Sequence, residues 1–438
     1  MAVNSARIIA IARQWLRNRQ SLRHVMTLMS GTFLAQVIGL LMLPALARIY
    51  SVAEFGEYAV YLATTSLFTL VATGRYEMAI MLPKQHNNGA SLVQLSIWIT
   101  VALAVALWCL LLMPMTMLGL VDVVLPSWLG LLPLAVLLAG YSQSLNYWLS
   151  RHQYFRRISN GRVLQALTVA IVSIAVGKSE WIESGLIVGL LMGQVVLAAY
   201  YAYVVRQDCP LHLRQLSWRR VVWNGKRYKD FPLINTLHVS VDAIQNSALP
   251  WLIKLQFGVE VLGAYSMAVR IVKTPLGLVG GAISQVFFQK SAVLYAQTEN
   301  IQPLFRQTIR PLLAAGGLIA MLLIFSPMIF EILLGSQWAL AGRYVLYLLP
   351  WLVASFVISA ISQIPVVTKN QRPMLIKALV GNLIVFVAIG YGGVVHSMEV
   401  GLLVASLLML VYFVMLGRWF YHISGKPTSG RTDGELSI

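Results

Sequence analysis

Residues 229–290 read KDFPLINTLHVSVDAIQNSALPWLIKLQFGVEVLGAYSMAVRIVKTPLGLVGGAISQVFFQK. This stretch forms two long apolar segments joined by a short turn, and each segment carries polar or small residues at helical spacing. The first segment carries Asn235, His238, Asp242, Gln245 and Asn246. The second carries Arg270, Lys273, Thr274, Gly277, Gly281 and Ser284. Because residues three or four apart share one face of a helix, the pattern predicts two helices that face a polar space.

The depth of the charged residues in these two helices is unusual. Counting about 1.5 Å per residue from each predicted helix start places Asp242 and Arg270 about 13–15 Å deep, near the middle of a bilayer. A charge at that depth costs at least about 2.5–3.5 kcal/mol unless it faces water or a partner. The sequence therefore predicts a polar cavity inside a bundle of membrane helices, with cations and a carboxylate at matching depth.

The composition agrees with a membrane protein. The chain has 438 residues, of which 58% are hydrophobic and only 11% are charged, and its long apolar runs exclude a soluble globule. In a soluble protein, the formal net charge of +18 would suggest a nucleic-acid partner. In a membrane protein, the location of basic residues in the loops indicates the orientation of the chain, so no nucleic-acid partner is predicted. Two cysteines imply no disulfide framework. The apolar piece Ile8–Ala12 is too short for a cleavable signal peptide.

Hydropathy predicts an all-α integral membrane protein with twelve spans, at residues 25–48, 57–82, 90–118, 127–150, 160–177, 183–205, 232–255, 261–288, 309–334, 343–367, 372–395 and 398–422. Alternate connections collect 27 of the 33 Lys and Arg residues, which predicts that both termini are cytoplasmic. The predicted division is a basic N-terminal segment 1–24, an N-terminal lobe 25–205, a basic linker 206–231, a C-terminal lobe 232–422 and a polar tail 423–438.

The two predicted lobes carry a weak internal repeat. Residues 50–60 align with residues 257–267 at an offset of 207, so that Gly56 meets Gly263 and Tyr58 meets Tyr265. In each half this piece joins the first span to the second. Six spans per half preserve the orientation, which predicts two lobes related by a pseudo-two-fold axis along the membrane normal. The alternative is chance similarity between two membrane turns.

Several short motifs resemble those of polysaccharide transporters, and their order and spacing match as well. They are Pro44-Ala-Leu-Ala-Arg48, Glu54-Phe-Gly-Glu-Tyr58, Arg75-Tyr-Glu-Met-Ala-Ile80, Tyr228-Lys-Asp-Phe-Pro232, Leu249-Pro250, and Gly263-Ala-Tyr265 with Pro275. Together they resemble the O-antigen flippases (Wzx-type) of the multidrug/oligosaccharidyl-lipid/polysaccharide exporter superfamily. The resemblance covers most of residues 25–290 and is thinner beyond.

This resemblance implies a function. Such a protein moves an undecaprenyl-diphosphate-linked oligosaccharide from the cytoplasmic to the periplasmic leaflet of the bacterial inner membrane, for O-antigen or polysaccharide biosynthesis. It implies two six-helix lobes around a cationic cavity that works by alternating access. The implied partners are the lipid-linked oligosaccharide, membrane lipids, and polysaccharide polymerase and chain-length machinery.

The residues support an anionic substrate independently of the resemblance. Arg270 can grip phosphate oxygens with its planar fork, and Lys273 can add a point charge. Pro275 cannot donate the helix bond to the carbonyl of Ile271, which lies between the two cations, so a kink or local unwinding is expected there. The alternative is that both side chains reach the interface or pair structurally with Asp242.

The remaining candidate residues have two interpretations each. His238 and Asp242, four residues apart on one face, form either a protonation or cation site that drives transport or a hydrogen bond that holds two helices together. Asn235, Asn246 and Gln36 are expected to line the cavity, although each is also typical of interhelical contacts. Secondary candidates at helix ends, where arginines more often anchor to the interface, are Arg48, Arg75 and Arg151.

Enzymatic function finds little support in the sequence. It contains no HExxH, Walker loop, GxSxG or zinc-type Cys/His cluster, and neither a cofactor nor a metal is predicted. The predicted outer connections are short, whereas a polytopic polymerase or ligase would be expected to carry its site on a large periplasmic loop. The alternative function is a cation- or proton-coupled small-molecule (drug) antiporter of the same superfamily. Two positive charges on the eighth span favour an anion over a cationic drug.

Overall fold

The computed structural model describes residues 19–112, 126–178, 184–211, 217–229, 231–232, 236–298 and 300–425, without the side chains of residues 19–29 and 236–246. Throughout these ranges the regular structure is helical. The α-helices, numbered in chain order, are α1 Arg19–Ile49, α2 Val52–Ala72, α3 Tyr76–Ala79, α4 His86–Leu112, α5 Leu132–Arg151, α6 Phe155–Gly177, α7 Gly185–Asp208, α8 Trp218–Arg227, α9 Thr236–Phe257, α10 Val259–Thr298, α11 Gln302–Ile324, α12 Ser326–Leu334, α13 Ala339–Ala360, α14 Ile364–Val367, α15 Gln371–Val394 and α16 Met398–Ser424. Short 3-10 turns lead into α5 and α13.

Ten helical stretches in the described residues are long and apolar enough to cross a membrane. Each overlaps one of the twelve predicted spans, which confirms an all-helical membrane protein. The second and seventh predicted spans correspond to α2 and α9, which are not among the ten. Glu54 and Glu57 in the first two turns of α2 lower its hydropathy, whereas only the part of α9 from Ser247 onward has described side chains.

Two predicted spans are shorter than expected because the backbone breaks the helix. The second ends at Ala72, since Gly74 and Arg75 adopt left-handed conformations with φ of 57° and 60°. The ninth ends at Ile324, and the short helix α12 follows with Pro327 in its first turn. Because Pro327 has no N–H to donate to the preceding turn, α11 cannot continue through it with regular hydrogen bonding, and the break falls just before this proline.

The chain forms two compact units, one built from Ile8–Lys254 and one from Leu255–Ile438. This division places most of α9 with the first unit, whereas the sequence predicts that α9 begins the C-terminal lobe. The predicted two-lobe division thus stays a prediction.

The turn before the second helix of each half supports the internal repeat. Ser51 caps α2 in a capping box, in which the Ser51 hydroxyl accepts from the Glu54 N–H and a Glu54 carboxylate oxygen accepts from the Ser51 N–H at 2.8 Å. In the other half, Gly258 (φ 92°) makes the turn into α10. The aligned Tyr58 and Tyr265 are each 7% exposed, so the equivalent positions are buried alike.

Small residues allow close helix packing in the first unit. A methyl group added at Gly189 would collide with Ser173 of α6, and one added at Gly193 would collide with Val169. These glycines on α7 therefore let the backbones of α6 and α7 approach closely. The core of this unit also buries Trp148 and Tyr201 almost completely.

The predicted linker, residues 206–231, contains a basic amphipathic helix, α8. Its inner face buries Val221 and Asn224 against α4, where the Asn224 amide donates to the Ser91 hydroxyl at 2.8 Å. The outer face exposes two tryptophans and four basic residues: Trp218, Trp223, Arg219, Arg220, Lys226 and Arg227. The linker is thus attached to the membrane helices by a defined polar contact.

Candidate substrate-binding site

Helix α10 carries the two cations that the sequence singles out. The helix has 40 residues, about 60 Å at 1.5 Å per residue, and continues through Pro275 without the local unwinding expected there. Arg270 is half-buried, and Lys273 is exposed. Both lie well inside the helix, about 16–21 Å from its start at Val259.

The face of α10 beyond Lys273 is open. A methyl group added at Gly277 or Gly281 would meet no atom within 4 Å, and both glycines are exposed. Ser284, which the spacing places on the same face, is buried. It lies one turn beyond Gly280, which packs against Ser359 of α13. The open surface thus runs from Lys273 to Gly281 and is formed by small residues.

Lys273 is positioned by an aromatic side chain of α13. Its Nζ atom lies 4.7 Å from the centroid of the Trp351 ring. Trp351 is 8% exposed, and its backbone N–H donates to the buried Ser406 hydroxyl of α16 at 3.1 Å. A cation over an indole face gains roughly 0.5–2 kcal/mol without using its N–H donors. Among the described residues Lys273 makes no hydrogen bond, so its ammonium group retains donors for an anion.

The polar stripe of α9 lies outside the residues whose side chains the structure describes. Asn235 is not described, and of His238, Asp242 and Asn246 only the helical backbone is described. The pairing of Asp242 with the cations of α10, and the coupling role of His238, stay predictions. Gln36 lies exposed on α1, and no contact assigns it to a cavity.

The side chain of Arg75 lies largely buried beside a buried carboxylate. Its side chain is 13% exposed, and its Nη1 atom lies 3.7 Å from a carboxylate oxygen of Glu77, which is fully buried. Glu77 also accepts hydrogen bonds from the Gln143 amide at 3.0 Å and from the Thr73 hydroxyl. The two left-handed residues that end α2 turn Arg75 toward this carboxylate. A left-handed conformation costs energy at a non-glycine residue such as Arg75, and such residues concentrate at functional sites. The turn that places Arg75 beside Glu77 is therefore a candidate functional feature of the first unit.

Glu77 is the residue that sequence analysis missed. Its charge inside a predicted span was a usable signal, because ionisable residues in membrane spans usually have a specific partner. The sequence analysis assigned Glu77 no role, whereas the structure buries it completely.

Arg151 has a structural role. Its guanidinium donates to the backbone carbonyl of Ile80 at 2.6 Å and to that of Pro83. These carbonyls follow α3, where the chain turns toward α4, and the fork of Arg151 satisfies them. Arg48 is exposed in the last turn of α1, where a cation interacts favourably with the helix dipole. Neither observation places these two arginines at a substrate site.

A line of polar contacts joins α2 and α9 within the first unit. Lys254 Nζ lies 2.7 Å from a Glu57 carboxylate oxygen, and the other Glu57 oxygen accepts from the Trp128 indole at 2.8 Å. Further along, the Trp251 indole donates to the Thr64 hydroxyl at 3.1 Å. The hydroxyl oxygens of Ser66 and Ser247 are 3.1 Å apart. We call the three contacts between α2 and α9, namely Glu57–Lys254, Thr64–Trp251 and Ser66–Ser247, the α2–α9 seam.

Comparison with known proteins identifies the family. The sequence profile of a family described as "Polysaccharide biosynthesis protein" matches residues 45–342, more than half of the chain. The chain belongs to this polysaccharide biosynthesis family. The matched range includes Arg75, Glu77, the α2–α9 seam and both cations of α10. No curated protein sequence matches the chain.

Solved structures show that this family member has a transporter fold. It is similar to the lipid II flippase MurJ in an inward closed conformation, with a TM-score of 0.65 and 13% sequence identity, over 91% of this chain and 90% of that chain. It is also similar to an inward-facing multidrug resistance MATE family transporter of the MOP superfamily, with a TM-score of 0.61 and 15% identity, over 89% of this chain and 96% of that chain. At these identities the likeness concerns the fold alone.

Proposed function

We propose that this polysaccharide biosynthesis family member moves an oligosaccharide linked to undecaprenyl diphosphate from the cytoplasmic to the periplasmic leaflet of a bacterial inner membrane, in O-antigen or related polysaccharide synthesis. The family match supports a role in polysaccharide biosynthesis. The similarity to MurJ, named as a lipid II flippase, extends this to a lipid-linked substrate by analogy of fold.

The observation that carries the proposal is the open, cationic face of α10. The Lys273 residue is exposed, its ammonium group makes no hydrogen bond among the described residues, and the glycines beyond it leave space for a ligand. Arg270 lies three residues earlier and supplies a second cation. A diphosphate is anionic and accepts several hydrogen bonds, so it fits two adjacent cations better than a cationic drug does.

Substitutions on α10 test this assignment. Arg270→Ala is expected to abolish export of the lipid-linked oligosaccharide, whereas Arg270→Lys keeps the charge without the bidentate fork and is expected to rescue part of it. Lys273→Ala is expected to have a smaller effect. Lys290→Ala is the matched control, because Lys290 is an exposed cation on the same helix outside the open face.

The assay is export in cells, measured together with the membrane abundance of each variant. Normal export by a well-expressed Arg270→Ala, Lys273→Ala double variant would exclude phosphate binding by this face. If the variants instead lost efflux of a cationic small molecule and kept oligosaccharide export, the drug antiporter alternative would be favoured.

Steric block of the open face provides a second, charge-independent test. Gly277→Leu is expected to fold normally, because a side chain there has space, and to reduce export by occupying the ligand's position. Gly280 is the comparison position, because a side chain there collides with Ser359, so Gly280→Leu is expected to lower abundance instead. Unchanged export by Gly277→Leu would place the substrate elsewhere.

The proposed mechanism is alternating access of two six-helix lobes, with both termini in the cytoplasm. In this proposal the α2–α9 seam separates when the outer side opens, since α9 is the first helix of the predicted C-terminal lobe. A Ser66→Cys, Ser247→Cys pair replaces two hydroxyls 3.1 Å apart, and the resulting disulfide is expected to stop export reversibly. Each single cysteine variant is the control. Full export by the oxidised pair would show that the seam stays closed throughout the cycle.

Asp242 and His238 are proposed as the coupling site. Asp242→Asn keeps the shape and removes the charge, and it is expected to change the response of flipping in reconstituted vesicles to an imposed pH or sodium gradient. An unchanged rate and an unchanged response would exclude both coupling and the pairing with Arg270.

A further inference from the structure

Helices α11, α13 and α16 of the second unit enclose a groove that the proposed transport site does not use. Its volume is about 600 Å³. The wall is apolar, and several of its side chains are partly exposed, including Leu313 (59%) and Val414 (50%). Lys273 lies over Trp351 of α13, whereas the groove is lined by the neighbouring Pro350, Val353 and Ala354. The groove is therefore a separate feature from the cationic face of α10.

The length of the groove matches one leaflet of a bilayer. Its lining extends from Leu410 to Tyr421 on α16, which is about 16 Å at 1.5 Å per residue. On α13 it extends from Leu349 to Ile358, about 14 Å. Half of a hydrocarbon core of about 30 Å is about 15 Å. A chain lying in the groove would thus reach from one membrane surface to the middle of the bilayer.

One end of the groove is basic. Arg418 is the charged residue among its described lining residues, and it lies beside Tyr421 at the end of α16. Arg306 of α11 donates to the Tyr421 hydroxyl and lies 5.2 Å from the centre of that ring. Arg418 is exposed and makes no hydrogen bond or ion pair within the described part of the chain. The positive-inside pattern places this end at the cytoplasmic surface.

We propose that this groove binds one anionic phospholipid of the cytoplasmic leaflet, with an acyl chain between α11, α13 and α16 and the phosphate on Arg418. The apolar side chains of the groove can pack against an acyl chain. The planar guanidinium of Arg418 can bind a phosphate with two parallel hydrogen bonds. The dimensions favour a leaflet-length acyl chain over the much longer undecaprenyl chain. The proposal does not depend on the identity of the transported substrate.

The test compares lipids retained by the purified full chain in native mass spectrometry. The probes are phosphatidylglycerol and phosphatidylcholine with the same acyl chains. The wild-type chain is expected to retain one phosphatidylglycerol with a preference of about fivefold, the effect of one arginine near a membrane surface. Arg418→Gln is expected to remove the preference. Arg372→Gln is the matched control, an exposed arginine on α15 that does not line the groove.

A filling variant tests the apolar part of the groove. Ala354→Phe is expected to reduce retention of both lipids, whereas Ala314→Phe, at an exposed position of α11 outside the groove, is expected to leave retention unchanged. If Ala354→Phe does not give a folded chain, Val414→Phe replaces it, because Val414 is a half-exposed lining residue. Size-exclusion profiles check the folding of each variant.

Three results would overturn the proposal. The first is equal retention of both lipids by the wild type, and the second is an unchanged preference in Arg418→Gln. The third is displacement of phosphatidylglycerol by undecaprenyl phosphate at equal concentration, which would assign the groove to the lipid chain of a transport substrate instead.

Discussion

Replacing Glu77 by Gln should destabilise the first unit substantially, although the change is nearly isosteric. Glu77 is fully buried, and its carboxylate oxygen lies 3.7 Å from Arg75 Nη1. The amide of a glutamine can still meet Gln143 and Thr73, but it leaves the largely buried Arg75 cation without its counter-charge.

The magnitude follows from the geometry. Two unit charges 3.7 Å apart attract by about 4–5 kcal/mol at an effective dielectric constant of about 20. Removing one partner of a buried pair typically costs about 3–5 kcal/mol. The 13% exposure of Arg75 allows some rehydration of the guanidinium, and we therefore expect a loss of about 2–3 kcal/mol in the free energy of unfolding.

The assay is unfolding in mixed micelles by SDS titration, followed by tryptophan fluorescence. A double-mutant cycle with Arg75→Gln isolates the pairwise term, because removing both charges leaves no unpaired ion. The matched control is the ion pair of Arg157 and Asp208, in which the charged atoms are 3.0 Å apart but the side chains are 46% and 23% exposed. Asp208→Asn should cost less than about 1 kcal/mol.

If Glu77→Gln unfolds within about 0.5 kcal/mol of the wild type, and the cycle shows no coupling to Arg75, the pair contributes no net stability. The left-handed turn at Gly74 and Arg75 would then need another explanation.

Three further predictions concern other parts of the chain. Arg151→Gln should lower the free energy of unfolding by about 2–3 kcal/mol, because two backbone carbonyls lose a charged donor. Export per folded molecule should be unchanged. Loss of export at normal stability would instead indicate that Arg151 contacts the substrate. Burial raises the pKa of Cys209 to about 11 from 9.0, and the Asp208 carboxylate adds to the shift. Maleimide labelling of Cys209 at pH 8 should therefore be roughly 100-fold slower than labelling of an ordinary thiol. Fast labelling would show that the C-terminal end of α7 opens. A cysteine at Ser217 should be labelled from the cytoplasm and one at Ser336 from the periplasm, and the opposite pattern would overturn the predicted orientation.

The helices were predictable from sequence because hydropathy acts locally. Ten of the twelve predicted spans coincide with helices that are long and apolar enough to cross a membrane. The positions of breaks were less predictable. Arginine has no preference for the left-handed conformation, so the sequence does not indicate it at Arg75. Gly74 signals a turn, but one left-handed glycine is enough for most turns. Pro327 was a visible signal for the end of the ninth span, but the apolar run continues across it.

The candidate site was predictable in part. The spacing on α10 predicts that Lys273, Gly277 and Gly281 share one helix face, and all three residues are exposed in the structure. It did not locate Trp351, since the cation–π contact joins residues far apart in sequence. It also placed Ser284 on the open face, because helical periodicity cannot reveal how far a neighbouring helix covers one edge.

The partners of each buried or half-buried cation decide what that cation can do. Arg151 gives its fork to two backbone carbonyls, and Arg75 faces the Glu77 carboxylate. Binding a phosphate at either place would require breaking contacts that hold the fold together. Lys273 differs, because the indole of Trp351 stabilises its charge while leaving its N–H groups available. A phosphate can therefore approach Lys273 without displacing a protein acceptor, which explains why the exposed face of α10 is a better candidate than the arginines at the helix ends.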